Sequence, residues 1–207
     1  MAKTRASERT ILARGIIRLR RHVDVHRDFV LILALATAFR LMAALVFRPG
    51  GFVGDISTFG YYRLLLSFTA QGYAPLVDFW LEYPPLFPWI MTGIYRLSLL
   101  IPPWTEPGAW FFVLLTLFFT FVEAGNLTLL YAIGRRLYGQ ERAVRLAWIY
   151  VAFLVPVLTL FMAFDSLVLL FLLWTVLLAL DRRAIPAGIV TGLGFMTKLV
   201  PLVAAPA

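Results

Sequence analysis

Two carboxylates, Asp78 and Glu82, stand four positions apart in the stretch DFWLEYPPLFPW, among aromatic rings and just before Pro84 and Pro85. Asp55 in GDISTFGYYR, Asp165 in FDSL and Lys198 in GFMTKLVP likewise interrupt sequence that is otherwise apolar. Ionisable groups near or inside a membrane are costly, and those kept there serve as proton acceptors, fixed charges or ligand contacts. Each also has a purely structural reading. Asp55 can cap a helix that starts at Ile56, and Asp165 can cap one that starts at Ser166. Asp78 and Glu82 can be solvated loop acids, and Lys198 can snorkel to the surface.

The elements that must position these groups follow from composition. The chain has 207 residues, of which 61% are apolar, 15% aromatic and only 14% charged, outside the range of a soluble domain. It reads as an all-α, multi-pass transmembrane bundle whose apolar runs approach the roughly 20 residues needed to cross about 30 Å of hydrocarbon. The net charge of +8 does not indicate nucleic acid, because the arginines gather at the ends of apolar runs, the pattern of cytoplasmic flanks. Cysteine is absent, which excludes disulfides and thiolate metal sites. The preference for arginine over lysine points to a bacterial chain and hence to its inner membrane.

Residues 1–28 form a basic segment. In it Leu12, Ile16, Leu19 and Val23 share one helical face while Arg14, Arg18 and Arg21 share another, as in a helix lying on an anionic cytoplasmic leaflet. A disordered basic tail is the alternative, and both place the N-terminus inside. The first apolar run, Phe29 to Phe47, carries Arg40 and is followed by RPGG rather than a cleavage site, so it reads as a retained span.

Two more Arg-rich junctions follow, GRRLYGQERAVR and DRR. If both are cytoplasmic, the number of crossings between consecutive junctions is even. Leu146 to Phe164 and Ser166 to Leu180 supply two and put Asp165 at the outer face. Between the first and second junctions there are three runs: Phe29 to Phe47, Leu86 to Ile101, and Ala109 to Ile133. The proline-bracketed Leu86 to Ile101 is therefore expected not to cross, leaving Arg48 to Pro107 as one large extracytoplasmic loop with interfacial helices. The last run begins at Ala184 and heads outward, carrying Lys198 about 20 Å along a helix of 1.5 Å rise. Arg40, Arg96 and Glu123 are assigned to structural pairing, Pro156 to a kink, and Gly188 with Gly192 to close helix packing.

The order GD, YY, GYAPLVDFWLEYPPLFPW, GRRLYG, FDSL and GLGFMTKLVPL resembles the N-terminal half of the GT-C membrane glycosyltransferases. Within them it is most similar to the bacterial polyprenyl-phosphate-mannose-dependent mannosyltransferases. Residues 29–207 would then be the N-terminal part of such a domain, with more spans to follow. The resemblance implies transfer of a sugar, mannose in the closest branch, from a polyprenyl-phosphate donor to a lipid or glycan acceptor on the extracytoplasmic side.

By position, the resemblance makes Asp55 the general base that takes the acceptor proton. It makes Lys198, and less directly Arg63, the cation that stabilises the departing phosphate. Asp78, Glu82, Tyr83 and Asp165 would bind substrate, the acids through sugar hydroxyls and Tyr83 by stacking on a pyranose. Tyr83 stands where related aminoarabinose and protein O-mannosyl transferases carry a basic residue, which turns the comparison away from those branches. The sequence calls for no cofactor and assigns no residue to a metal, and it leaves a divalent metal requirement open. Its expected partners are the donor, the acceptor and membrane lipids, with no nucleic acid. The rival readings are a transporter or lipid flippase, which would favour charges near the midplane and paired broken helices, and a non-catalytic remnant.

Overall fold

The computed structural model describes residues 24–46, 57–102, 108–154 and 164–201. They form seven helices and no strand: α1 Arg27–Val46, α2 Ser57–Ala70, α3 Leu86–Leu99, α4 Ala109–Tyr138, α5 Gln140–Leu154, α6 Asp165–Leu180 and α7 Ala184–Phe195. The all-helical class is thus observed. Among the described residues, α4 is the helix long and apolar enough to cross a membrane, and α6 and α7 are shorter apolar helices. The basic segment at 1–23, Asp55 and Pro156 lie outside the described residues.

The 30 residues of α4 make a rod of about 45 Å. Helices α1, α3, α5 and α6 all pack on it, and α7 packs on α6. Thr116 and Thr120 satisfy their hydroxyls on the carbonyls of Phe112 and Thr116, one turn back, so they sit in an apolar helix without orphaned polar atoms. The α4–α5 connection is Gly139 alone, at φ +84°, a backbone conformation that side-chain-bearing residues rarely adopt.

Two apolar clusters fill the bundle. One surrounds the first half of α4, where Phe111, Leu115 and Phe119 meet Leu66 of α2, Phe87 and Met91 of α3, and Phe171 of α6. The other surrounds its second half, where Leu127 and Tyr131 meet Phe29 and Ile32 of α1 and Ala143 and Ala147 of α5. Helix α3 buries Phe87, Met91, Ile94 and Ser98, a stripe spaced by three and four residues. Its Pro88 lies in the first turn, where a missing N–H costs no helical bond.

The three Arg-rich junctions meet at one end. Arg136 of α4 forms an ion pair with Asp181, the residue closing α6. Arg135 reaches the ring of His26, whose other nitrogen meets the Tyr131 hydroxyl at 2.8 Å, and Phe29 stacks on Tyr131 with ring centroids 4.0 Å apart. Gln140 donates to the carbonyl of Val25 at 2.8 Å.

One expectation is corrected. Gly188 and Gly192 face open space, with nothing within 4 Å of where a Cβ would stand. The close approach in α7 is made by Gly194 instead. Asp165 stands beside Ser166, whose hydroxyl donates to Glu123 near the middle of α4.

Candidate functional site

Three segments far apart in sequence meet at the N-terminal end of α6. The first is the EYPPL turn into α3. Tyr83 lies 4.9 Å from Phe87 and 4.6 Å from Phe164, and Phe87 and Phe164 are 4.1 Å apart, all between ring centroids. Tyr62 of α2 closes the group, edge-on to Phe87 at 5.7 Å and 6.0 Å from Tyr83. Such tilted and edge-to-face pairs are favourable arrangements of ring quadrupoles.

The second segment is Phe164–Ser166. Phe164 occupies the N-cap of α6 without a side-chain cap bond, and Asp165 stands in the first turn, where the helix dipole favours an acid. The Asp165 carboxylate turns to the third segment: Lys198 Nζ donates to Asp165 Oδ1 at 2.7 Å.

Local sequence explains why Lys198 arrives there. The carbonyl of Gly194 accepts from the N–H groups of Thr197 and Lys198 and from the Thr197 hydroxyl, which ends α7 in a tight turn. A Cβ on Gly194 would stand 2.7 Å from Pro201 Cβ and 2.8 Å from Phe171 Cβ, so only glycine lets the turn come this close to α6. The carbonyl of Met196 then accepts from the N–H of Leu86 at 2.9 Å, joining the lysine turn to the EYPPL turn through backbone.

The pair lies open to solvent, with the Lys198 and Asp165 side chains 40% and 71% exposed. The hydrogen bond that Lys198 donates to Asp165 raises the Lys198 pKa above its ordinary value; partial burial opposes this, and the electrostatic influence of Asp165 and then of Tyr83 reinforces it. Burial, followed by the neighbouring Tyr83 and Glu82, raises the Tyr62 pKa well above the usual phenol value. Tyr62 therefore remains a hydroxyl donor at any physiological pH.

The remaining sequence candidates fall elsewhere or partly so. Asp78 Oδ2 accepts from the N–H of Ala74 at 2.7 Å, and the Asp78 N–H returns to the Ala74 carbonyl, so this acid shapes its own exposed loop. Glu82 is exposed and touches the site through its charge on Tyr62. The Arg63 guanidinium packs against Gly108, the residue before α4. Arg96 donates to the carbonyl of Thr69 at 3.1 Å, tying α3 to α2. Asp55, the nominated base, lies outside the described residues.

Sequence reasoning did not place Ser166, Tyr150 or Asn126. Glu123 accepts from the Ser166 hydroxyl and, at 2.6 Å, from Tyr150 of α5. Arg40 of α1 is buried beside it and lines the same small pocket between α1, α4 and α5. Asn126, wholly buried, donates to the Ser166 carbonyl at 2.9 Å. The available signal was that Arg40 and Glu123 each interrupt an apolar run. Comparison with family models, with curated proteins and with solved structures gives no match.

Proposed function

We propose that the chain is part of a multi-pass membrane glycosyltransferase of the GT-C type. It transfers a sugar, mannose in the first instance, from a polyprenyl-phosphate donor on the extracytoplasmic side of a bacterial inner membrane. The observation that carries this reading is the convergence of EYPPL, FDS and MTK, the motifs on which the resemblance rests, around one lysine, one carboxylate and a group of aromatic rings.

The geometry suits a lipid phosphate in three respects. Lys198 is a point charge on a flexible stem, able to follow a phosphate oxygen as negative charge develops on it. Its present partner is an exposed carboxylate, and exposed ion pairs contribute little stability, so exchanging Asp165 for phosphate costs little. Tyr83 places an aromatic face beside the lysine, chemistry that fits a sugar attached to that phosphate. Asp55 retains the role of base, taking the acceptor proton as the acceptor oxygen attacks the anomeric carbon and the C–O bond to phosphate breaks.

A transporter or flippase is favoured by one observation, the Arg40 and Glu123 charges buried in the bundle. Against it, both Glu123 oxygens already accept hydrogen bonds from Tyr150 and Ser166, so the acid is engaged by neighbouring helices rather than presented to a pathway.

The test is transfer of radiolabelled mannose from polyprenyl-phosphate-mannose to membrane lipid or glycan in native membranes. Lys198→Met should lower the rate by about 100-fold to 1,000-fold, as does loss of one electrostatic contact to a developing oxyanion. Asp55→Asn, which still caps a helix but accepts no proton, should lower it by about 100-fold to 10,000-fold. Full transfer by both variants would overturn the reading.

A further inference from the structure

We propose that Glu123 is a positioning residue for the Lys198–Asp165 site: with Tyr150 and Asn126 it anchors Ser166, and through Ser166 it sets where α6 begins and where Asp165 meets Lys198. The inference deepens the reading above and takes its functional meaning from it, but its geometry stands on this chain alone.

Two bonds fix Ser166. Its hydroxyl donates to Glu123 Oε1, and its carbonyl accepts from the Asn126 amide at 2.9 Å. Glu123 and Asn126 lie three apart on α4 and so share one helical face. Glu123 is held in turn by the Tyr150 hydroxyl of α5 at 2.6 Å, with Arg40 of α1 buried alongside. Helices α1, α4 and α5 thus meet α6 at one polar point, and the adjacent residue is the acid that binds Lys198.

The first turn of a helix is where backbone groups lack intrahelical partners and fraying begins. Phe164 supplies no side-chain cap. The anchor that holds this turn is therefore tertiary, and Asp165, itself exposed, has no other described partner than Lys198. Lys198 is fixed separately by the Gly194 turn and the Met196–Leu86 bond. The pair forms only if both supports are in register.

Stability alone does not require such a network. Replacing a buried charged cluster by apolar side chains of similar volume is commonly neutral or stabilising, whereas loss of one partner strands the other. What an apolar replacement cannot do is hold the Ser166 hydroxyl, and with it the register of Asp165. Glu123 therefore sets position.

The chain offers a direct readout, because Lys198 and Lys3 are its two lysines. In the purified protein in nanodiscs, acylation of Lys198 is followed against pH by peptide mass spectrometry, with Lys3 as internal reference. Asp165→Asn should lower the labelling midpoint of Lys198, since it removes the bond that favours the ammonium. Glu123→Leu should lower it in the same direction by at least half as much, with a lower thermal midpoint as well, because buried Arg40 and the Tyr150 and Ser166 hydroxyls lose their partner.

Adding Glu123→Leu to Asp165→Asn should produce no further change, because the two act in series. Ser166→Ala, which deletes only the linking hydroxyl, should reproduce the shift and serves as the second variant if Glu123→Leu does not fold. A wild-type Lys198 midpoint in folded Glu123→Leu or Ser166→Ala overturns the proposal, as does a shift in the double variant beyond that of Asp165→Asn. Absence of sugar transfer by the wild-type protein would overturn the functional reading and leave this titration intact.

Discussion

The N–H of Leu86 donates to the carbonyl of Met196 at 2.9 Å, one backbone bond between two turns separated by roughly half the chain. It places Tyr83, three residues before Leu86, beside Lys198, two residues after Met196. Neither end depends on side-chain chemistry for this contact, so residues nearby can be changed without undoing it.

Tyr83 can accordingly be dissected. Tyr83→Phe keeps the ring contacts to Phe87 and Phe164 and should leave the thermal midpoint near wild type. Tyr83→Ala removes three ring pairs, each worth about 0.5–1.5 kcal/mol beyond area burial, and should lower stability measurably. If the hydroxyl meets the sugar, Tyr83→Phe raises KM for the donor without loss of fold. An unchanged KM assigns Tyr83 to packing alone.

Gly194 should be intolerant of any side chain. A Cβ there meets Pro201 Cβ and Phe171 Cβ below 3 Å, and these atoms are fixed to backbone. Gly194→Ala should cost about 1–3 kcal/mol, the usual scale of overpacking. Gly188→Ala, in open space, is the control and should be neutral or slightly stabilising through helix propensity. Denaturation of the two variants in mild detergent compares them; equal midpoints would remove the close approach from the account.

The ion pair has a defined pH window. The folded-state pKa of Lys198 is raised above the ordinary 10.5, so the stability it contributes is fully present below 10.5 and is lost as pH rises through the raised value. The difference in thermal midpoint between wild type and Lys198→Met should stay constant from pH 8 to 10 and shrink only above 10.5. A difference that disappears between pH 8 and 9 contradicts the raised ammonium.

The absence of native cysteine makes topology accessible to single labels. Trp80→Cys, in the exposed α2–α3 loop, should react in intact cells with an impermeant thiol reagent. Arg183→Cys, at the end that carries Arg136 and Asp181, should react only after the membrane is opened. The reverse pattern would invert the orientation inferred from the arginines.

Helices were legible where apolar runs met breakers. Pro85 and Pro102 bracket α3, and the pairing of Arg136 with Asp181 joins junctions already marked by their arginines. The site was legible only as a set of residue types. Asp78 and Asp165 look alike in sequence, yet one shapes its own loop and the other meets a lysine 33 residues away. A hydrogen bond to a residue four positions away and one across the bundle leave the same trace in a single chain. Depth was also hidden, since the contacts of Ser166 with Glu123 and Asn126 fix where along α4 the site lies. Glycine is equally ambiguous: Gly188 and Gly192 carry the familiar spacing, but Gly194 carries the contact.

The long-range bond between Leu86 and Met196 also sets an order of assembly. A ribosome delivers the N-terminal segments first. The hairpin of α4 and α5, closed by Gly139 alone, can form as soon as it is made, because its contacts are local. The EYPPL turn must wait, its partner carbonyl unmade, until α7 and the turn beyond it have been synthesised. The site around Lys198 is therefore the last part of this region to close, and a nascent chain halted before Met196 carries every aromatic of the site but neither the carbonyl that holds the EYPPL turn nor the lysine itself.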